Sequence, residues 1–161
     1  MSDAPRHLDT LAIHAGQAPD PTSGAVMTPI VLASTFAQDG PGQHKGFEYA
    51  RTGNPTRQTL ERCLAALEGA RHGVCFGSGC AAMTTLLHTL RPGDHLVASD
   101  DVYGGSFRIL DEVMRPMGVE TTQVDMSHPA RVEAALLPET KMLWVESPTN
   151  PMLKLADIEA V

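Results

Sequence analysis

One ten-residue stretch constrains this chain more than any other: Val74-Cys75-Phe76-Gly77-Ser78-Gly79-Cys80-Ala81-Ala82-Met83. A short apolar run enters a Gly-Ser-Gly turn, and small residues followed by a helical apolar pattern leave it. Gly77 and Gly79 permit a sharp turn and keep side chains away from anything bound there. A helix that begins here offers unpaired N–H groups and the positive end of its dipole, which suits a phosphate. The stretch is either a phosphate cradle or a strand-to-helix connection whose glycines serve packing. As a cradle it fits two cofactor classes. Gly77 to Ala82 matches the dinucleotide pattern G-x-G-x-x-A, and Asp100 and Asp101 follow about 20 residues later, where that pattern wants a ribose acid. The other class is a compact phosphorylated cofactor.

From residue 73 onward the chain alternates regularly. A strand over about 73–76 leads through the glycine turn to a helix carrying Met83, Leu86, Leu87 and Leu90. Arg91-Pro92-Gly93-Asp94 ends it, and His95 to Ser99 is a second strand. Asp101 to Ser106 turns into a helix with Ile109, Leu110, Val113 and Met114. Val119 to Val124 is a third strand, Ser127 caps a short helix, and Lys141 to Glu146 is a fourth strand. Short strands alternating with helices predict an α/β fold with a buried, mostly parallel sheet and flanking helices. Ligands of such sheets bind beyond the carboxyl ends of the strands. Three polar clusters fall there by topology: Ser78 with Gly79, Asp101 to Ser106, and Glu146 to Asn150 in a two-proline loop.

Residues 1–54 read differently. Proline and glycine are dense, Leu8 to Ala15 forms at most a short helix, and Pro29 interrupts the apolar run Val26 to Ala33. So long an irregular run is unusual inside a compact domain. It reads as an arm that packs on something else, such as another subunit. Asn54 and Pro55 then cap and start a helix with Leu60, Cys63, Leu64 and Leu67 on one stripe, closed by Gly69. Just before the cap, Tyr49 and Arg51 stand two residues apart and share a side in an extended segment. A phenol and a guanidinium so placed can bind a phosphate together, or can be a half-buried Tyr beside a surface Arg.

Composition narrows the partners. Net charge is −7 without a Lys/Arg cluster, which argues against nucleic acid. No apolar run approaches membrane-spanning length, and the first 15 residues lack a signal-peptide core, so the expected compartment is the cytoplasm. The 3 cysteines form no C-x-x-C pair, and the 7 histidines lack metal spacing, so no metal site is expected.

Between the two cofactor classes, the residues favour the compact one. More than 70 residues precede the glycine pattern, whereas a dinucleotide domain usually opens with it. Tyr103-Gly104-Gly105 presents an aromatic on a flexible turn, suited to stacking on a flat ring. In combination, Tyr49-Ala50-Arg51-x-x-Asn54-Pro55-Thr56, Gly77-Ser78-Gly79-Cys80-Ala81-Ala82, Asp101-Val102-Tyr103-Gly104-Gly105 and Glu146-Ser147-Pro148-Thr149-Asn150-Pro151 resemble the pyridoxal-phosphate-dependent enzymes of Cys/Met metabolism. That group includes cystathionine gamma-synthases, gamma-lyases and beta-lyases and methionine gamma-lyases. The resemblance runs from Thr10 to the end of the chain.

The resemblance implies a type I PLP-dependent transferase (aminotransferase-like) fold. It divides the chain into an arm, 1–54, that makes inter-subunit contacts and the first part of a large PLP-binding domain, 55–161. It implies a homotetramer, a dimer of dimers with sites shared between subunits, acting on a small amino-acid substrate. Tyr49 and Arg51 would reach the phosphate of a neighbouring subunit. Ser78 and the amides of Gly79 and Cys80 would hold the phosphate of their own. Tyr103 would stack on the pyridine ring and move protons, and Asn150 would bond the ring hydroxyl oxygen and stand near the substrate. Glu48 could meet the distal amino group of cystathionine. Gly105 points toward gamma-carbon chemistry on cystathionine: methionine gamma-lyases of the family carry a cysteine there, and beta-lyases depart from Tyr-Gly-Gly. Ala50 and Cys80 replace the family's usual Ser and frequent Met. The Schiff-base lysine and the aspartate partner of the pyridine nitrogen follow Asn150 in the family. Of Lys45, Lys141 and Lys154, none stands in a Ser-x-x-Lys segment, and the latter two read as solvated surface residues. The chain is thus expected to be the N-terminal part of an enzyme, with a truncated sheet and no activity alone.

Overall fold

Five residues, His95-Leu96-Val97-Ala98-Ser99, are buried without a break. A strand buried on both faces needs partners on both edges and apolar layers above and below. The computed structural model of the protein, which describes residues 7–161, supplies all four. Strand β1 (His95–Ser99) lies in the middle of a three-stranded parallel sheet, between β2 (Glu120–Val124) and β3 (Thr140–Trp144). The register runs His95 opposite Glu120 and Ser99 opposite Val124 on one edge, and Leu96 opposite Met142 and Ala98 opposite Trp144 on the other.

Side chains alternate across β1, as strand geometry requires. Leu96 and Ala98 join Met83 and Leu87 of one helix and Leu110, Met114 and Val119 from the next crossover. Val97 points the other way, into a cluster with Met126 and Val132. The helices on the first face are Gly79–Leu87 and Gly104–Arg108, the latter continuing as a π-helical segment, Ile109–Met114. Pro129–Ala135 supplies Val132 to the second face. This is the expected α/β arrangement, a parallel sheet with flanking helices.

The chain divides into two compact units, one ending at Cys75 and the other Phe76–Val161. The sheet belongs wholly to the second. In the first, helices Leu8–His14 and Pro55–Leu67 pack together, and the residues between them form only isolated bridges, Thr35 with Tyr49 and Gln38 with His44. The Pro55 helix starts as its sequence dictates: Asn54 Oδ1 accepts from the amides of Thr56 and Arg57, at 2.9 and 3.3 Å, and Pro55 takes the first position. Gly69, at φ 61°, ends it with amide bonds from Ala70 to Ala65 and from Gly69 to Ala66. Gly16, at φ 73°, brings the arm onto that helix, where a Cβ would meet the Thr59 carbonyl oxygen at 2.8 Å.

Several expectations change. The run at 73–76 makes no strand among the described residues. Its Cys75 amide donates to the Glu61 carboxylate, and Gly73 lies so close to the Glu61 carbonyl that any side chain would collide. The helix, not a neighbouring strand, meets this backbone. Ser127 does not cap the helix after β2, because its hydroxyl and amide both bond Asp125 while His128 holds the cap position. The extended segment ends at Tyr49, which bridges Thr35, and Arg51 lies in the turn that follows, closed by amides of Thr52 and Gly53 on the Tyr49 carbonyl. The apolar stripes are narrower than their spacing suggests: Leu60, Leu64, Leu86 and Val113 are exposed.

Candidate functional site

Parallel strands put all their carboxyl ends on one edge of the sheet, and the segments that leave β1, β2 and β3 meet there. Asp100 and Asp101 follow β1, Asp125 follows β2, and Glu146 to Lys154 follow β3. Contacts between six residue pairs tie these segments together. The Glu146 amide donates to Ser99 Oγ at 3.1 Å, and the Tyr103 amide donates to the Glu146 carboxylate at 3.3 Å. Asp101 accepts from the Thr149 hydroxyl at 2.5 Å and from the Met152 amide at 2.8 Å. Lys154 Nζ donates to both oxygens of Asp100, at 2.9 and 2.8 Å, and lies 3.3 Å from Asp125.

The glycine turn supplies the candidate cradle. Ser78 is the N-cap of the Gly79–Leu87 helix, with an extended backbone and an Oγ that accepts from the Ala81 amide at 3.1 Å. Ser78 also gives its carbonyl to Ala82 at 3.1 Å. That leaves the amides of Gly79 and Cys80 without an acceptor among the described residues. A Cβ built on Gly77 or Gly79 would meet nothing within 4 Å, so the approach to those amides is open. Free N–H groups, a helix dipole and open space are what a phosphate needs.

Tyr103 stands beside this cradle. It occupies the N-cap position of Gly104–Arg108 and is 53% exposed. Gly105 is buried beneath its ring: a Cβ there would collide with the ring and would lie 3.1 Å from Cys80 Sγ. The absence of a side chain at Gly105 thus lets Tyr103 and the cradle helix come together. Asn150 is exposed on the loop after β3, and its side chain makes no hydrogen bond among the described residues. Ser78, Gly79, Cys80, Tyr103 and Asn150 therefore all lie in the second unit, and the rim connections tie the Tyr103 segment to the Asn150 loop.

Glu48, Tyr49 and Arg51 lie in the first unit. The Arg51 guanidinium carbon sits 4.9 Å from the centroid of the Tyr49 ring, a cation–π arrangement. No carboxylate pairs with Arg51 among the described residues. The stacked pair is exposed, and its positive charge is free for an anion.

Two features escaped sequence reasoning. Lys154 is no solvated lysine, because two carboxylates hold its ammonium. Its pKa is raised above 10.5, chiefly by the hydrogen bond to Asp100, so the amine stays protonated at neutral pH. Asp100 and Asp101, candidates for a ribose acid, are already engaged by Lys154 and by the β3 loop. The available signal was two adjacent aspartates closing a strand. Their partners lie some 50 residues away and leave no local trace.

The family model for Cys/Met metabolism PLP-dependent enzymes matches residues 9–161. Over 156 residues the chain is 54% identical to the cystathionine beta-lyase of Coxiella burnetii, covering 96% of this chain and 40% of that protein. It is 52% identical over 152 residues to the probable cystathionine gamma-synthase of Herpetosiphon aurantiacus, covering 94% of this chain and 48% of that one. The crystal structure of cystathionine gamma-lyase from Lactobacillus plantarum, complexed with L-serine, superimposes with a TM-score of 0.89 at 45% identity. That match covers 96% of this chain and 40% of the other. The chain spans about two-fifths to one half of the length of these relatives.

The rim charges make one testable prediction. Asp125 is lowered from 3.8 to about 2, first by the Ser127 hydroxyl, then by the Ser127 amide, with Lys154 contributing less. A depressed carboxylate stabilises the fold above its unfolded value and loses that contribution as pH falls through its folded value. Asp125→Asn should therefore lower the denaturation midpoint at neutral pH, with the gap to wild type closing as pH approaches about 2. Denaturant titrations across that window check it, and a gap that does not change with pH refutes it.

Proposed function

This chain belongs to the Cys/Met metabolism family of PLP-dependent enzymes, and we propose that the protein carrying it acts on a sulfur amino acid at the gamma carbon, as a cystathionine gamma-synthase or gamma-lyase. The family's cofactor sets aside the dinucleotide alternative. The observation that carries the gamma-carbon reading is the buried Gly105, over which the Tyr103 ring closes toward Cys80. A second reading, cleavage at the beta carbon, draws on the 54% identity with the Coxiella burnetii beta-lyase.

When bound, the cofactor supplies an electron sink for a carbanion at the substrate's alpha carbon. The residues of this chain do the rest. The amides of Gly79 and Cys80, with Ser78 as the cap, hold the phosphate, and the open space at Gly77 and Gly79 admits it. Tyr103 offers its ring to the pyridine face and its hydroxyl as the proton carrier. Asn150 donates to the ring hydroxyl oxygen. Tyr49 and Arg51 bind the phosphate of a neighbouring subunit, a role supported by a guanidinium without a carboxylate partner among the described residues. Glu48 meets the distal amino group of the substrate. The assembly is a homotetramer, a dimer of dimers, in the cytoplasm.

On this reading neither Lys45 nor Lys154 serves as the covalent anchor, and the 161 residues by themselves are inactive. Nucleophilic catalysis by lysine needs a neutral amine, whereas Lys154 is held charged by two carboxylates. Lys45 pairs with Asp39 at 3.2 Å on the surface, far outside the rim segments in sequence.

Three outcomes test the proposal in the full protein. Assayed against cystathionine, methionine and O-acylhomoserine, it should turn over cystathionine or form it. Dominant methionine cleavage, or cleavage of cystathionine only at the beta carbon, overturns the gamma reading. Tyr103→Phe keeps the stacking surface and removes only the hydroxyl. Turnover should fall roughly 10²–10⁴-fold, the span for acid–base groups, while cofactor affinity holds. Unchanged turnover reduces Tyr103 to a platform. Arg51→Ala should weaken cofactor retention by roughly 1.5–3 kcal/mol, the worth of a charge-assisted bond. Mixed with subunits disabled at Gly79, Arg51→Ala subunits should recover a fraction of the sites. Mixed oligomers without recovery place Arg51 in its own subunit's site or in none.

A further inference from the structure

Nothing in the side chain of Asn150 fixes its position, so the backbone must. Residues 149–154 close into a small ring. The Thr149 amide donates to the Lys154 carbonyl at 2.9 Å, the Lys154 amide returns to Thr149 Oγ1 at 2.9 Å, and the Leu153 amide reaches the Thr149 carbonyl at 3.2 Å. Thr149 is buried, and the outer arc from Asn150 to Leu153 is exposed. Leu153 sits at φ 56°, a left-handed conformation that a branched-chain residue adopts only when its surroundings impose it.

Two grips hold this ring to the sheet. Asp101 takes the Thr149 hydroxyl and the Met152 amide. Lys154 reaches back to Asp100 and Asp125, and those three oxygen contacts match the three donors of its ammonium. The side chains of Lys154 and Asp125 are only 31% and 18% exposed, so this network is screened less than a surface pair. Arg131 shares Asp125 from the following helix, at 3.6 Å. The consecutive residues Asp100 and Asp101 thus seize opposite ends of one ring, and Asn150 rides between the grips.

We propose that Lys154 is a positioning residue: by tying the 149–154 ring to Asp100 and Asp125 at the ends of β1 and β2, it sets where Asn150 stands over the candidate site. The ring itself is independent of any cofactor. The consequence for cofactor binding rests on the PLP reading above.

The test uses the full protein and two variants, Lys154→Met, which keeps length without charge, and Lys154→Arg, which keeps charge. Hydrogen exchange on cofactor-free protein reads the ring directly, because local opening sets amide protection. In Lys154→Met the Met152, Leu153 and Lys154 amides should exchange at least about tenfold faster while β1 amides keep their protection, and Lys154→Arg should restore most of it. Pyridoxal phosphate titrated by its absorbance should bind Lys154→Met about tenfold more weakly with a shifted maximum, and Lys154→Arg near wild type. Unchanged ring exchange in Lys154→Met overturns the proposal. So does a loss of protection spread equally over β1 and β2, which marks a structural ion pair. Should Lys154→Met not fold, Asp100→Asn removes the larger grip with Lys154 in place, and the same two exchange outcomes decide. Wild-type protein that binds no pyridoxal phosphate refutes the cofactor reading, and the exchange result still decides the role of Lys154 in the ring.

Discussion

Burial of β1 is the interaction on which the rest of this unit depends. Its five residues have apolar layers above and below and a parallel partner on each edge. Removing any large side chain from such a core, Leu96 or Leu87 for example, leaves a cavity of a kind that costs roughly 2–5 kcal/mol. Because both pairings are parallel, one arrangement of hydrophobic surface dictates where three chain segments emerge. Asp100, Asp125 and Glu146 come to one rim because Val97, Val124 and Val145 must share one apolar layer. The chemistry at the rim is set by packing that takes no part in it.

That rim is crowded with carboxylates, and its side chains form a network rather than separate pairs. Asp101 and Glu146 accept from backbone amides and a hydroxyl, while Asp100 and Asp125 surround Lys154. Four acidic groups in one place would repel one another and any phosphate brought near. Hydrogen bonds and one shared ammonium reduce that repulsion. The same bonds fix the Tyr103 amide and the Asn150 loop in space, so neutralisation and positioning come from one set of contacts.

What local sequence encodes, it showed clearly. β1 was expected at His95 to Ser99 and stands there. Asn54 and Pro55 start their helix, and Ser78 caps the cradle, because a cap is a contact between residues two or three apart. Most of the misreadings concern partners at a distance; Ser127 is an exception, because its hydroxyl and amide turn back to Asp125, two residues away. Gly73 to Phe76 has a strand's composition, but a strand exists only where another pairs with it, and here Glu61 meets the backbone instead. Lys154 looks like any surface lysine until the fold brings Asp100, 54 residues away, beneath it. Leu86 fits the helical stripe of Met83 and Leu87 yet is 52% exposed, since the sheet covers only part of that stripe. Tyr49 and Arg51 were expected together, and they meet for a different reason: the guanidinium folds back onto the ring across a turn.

Charge explains why this chain presents two different kinds of anion-attracting group. On the proposed reading, a phosphate is bound by a chain whose net charge is −7 and whose sheet rim is lined with carboxylates. An ammonium placed in the cradle would compete for those same carboxylates, as Lys154 does, and would be held there instead of facing the ligand. Backbone amides carry no net charge and cannot be drawn away. At the start of the Gly79 helix they offer fixed donors whose direction Ser78 enforces. Arg51 rests on the face of Tyr49 and has no carboxylate partner among the described residues. An aromatic face holds a guanidinium in orientation without neutralising it. Uncharged amide donors and a guanidinium held on an aromatic face are thus two ways in which a chain of net charge −7 keeps anion-attracting groups from being taken up by its own carboxylates.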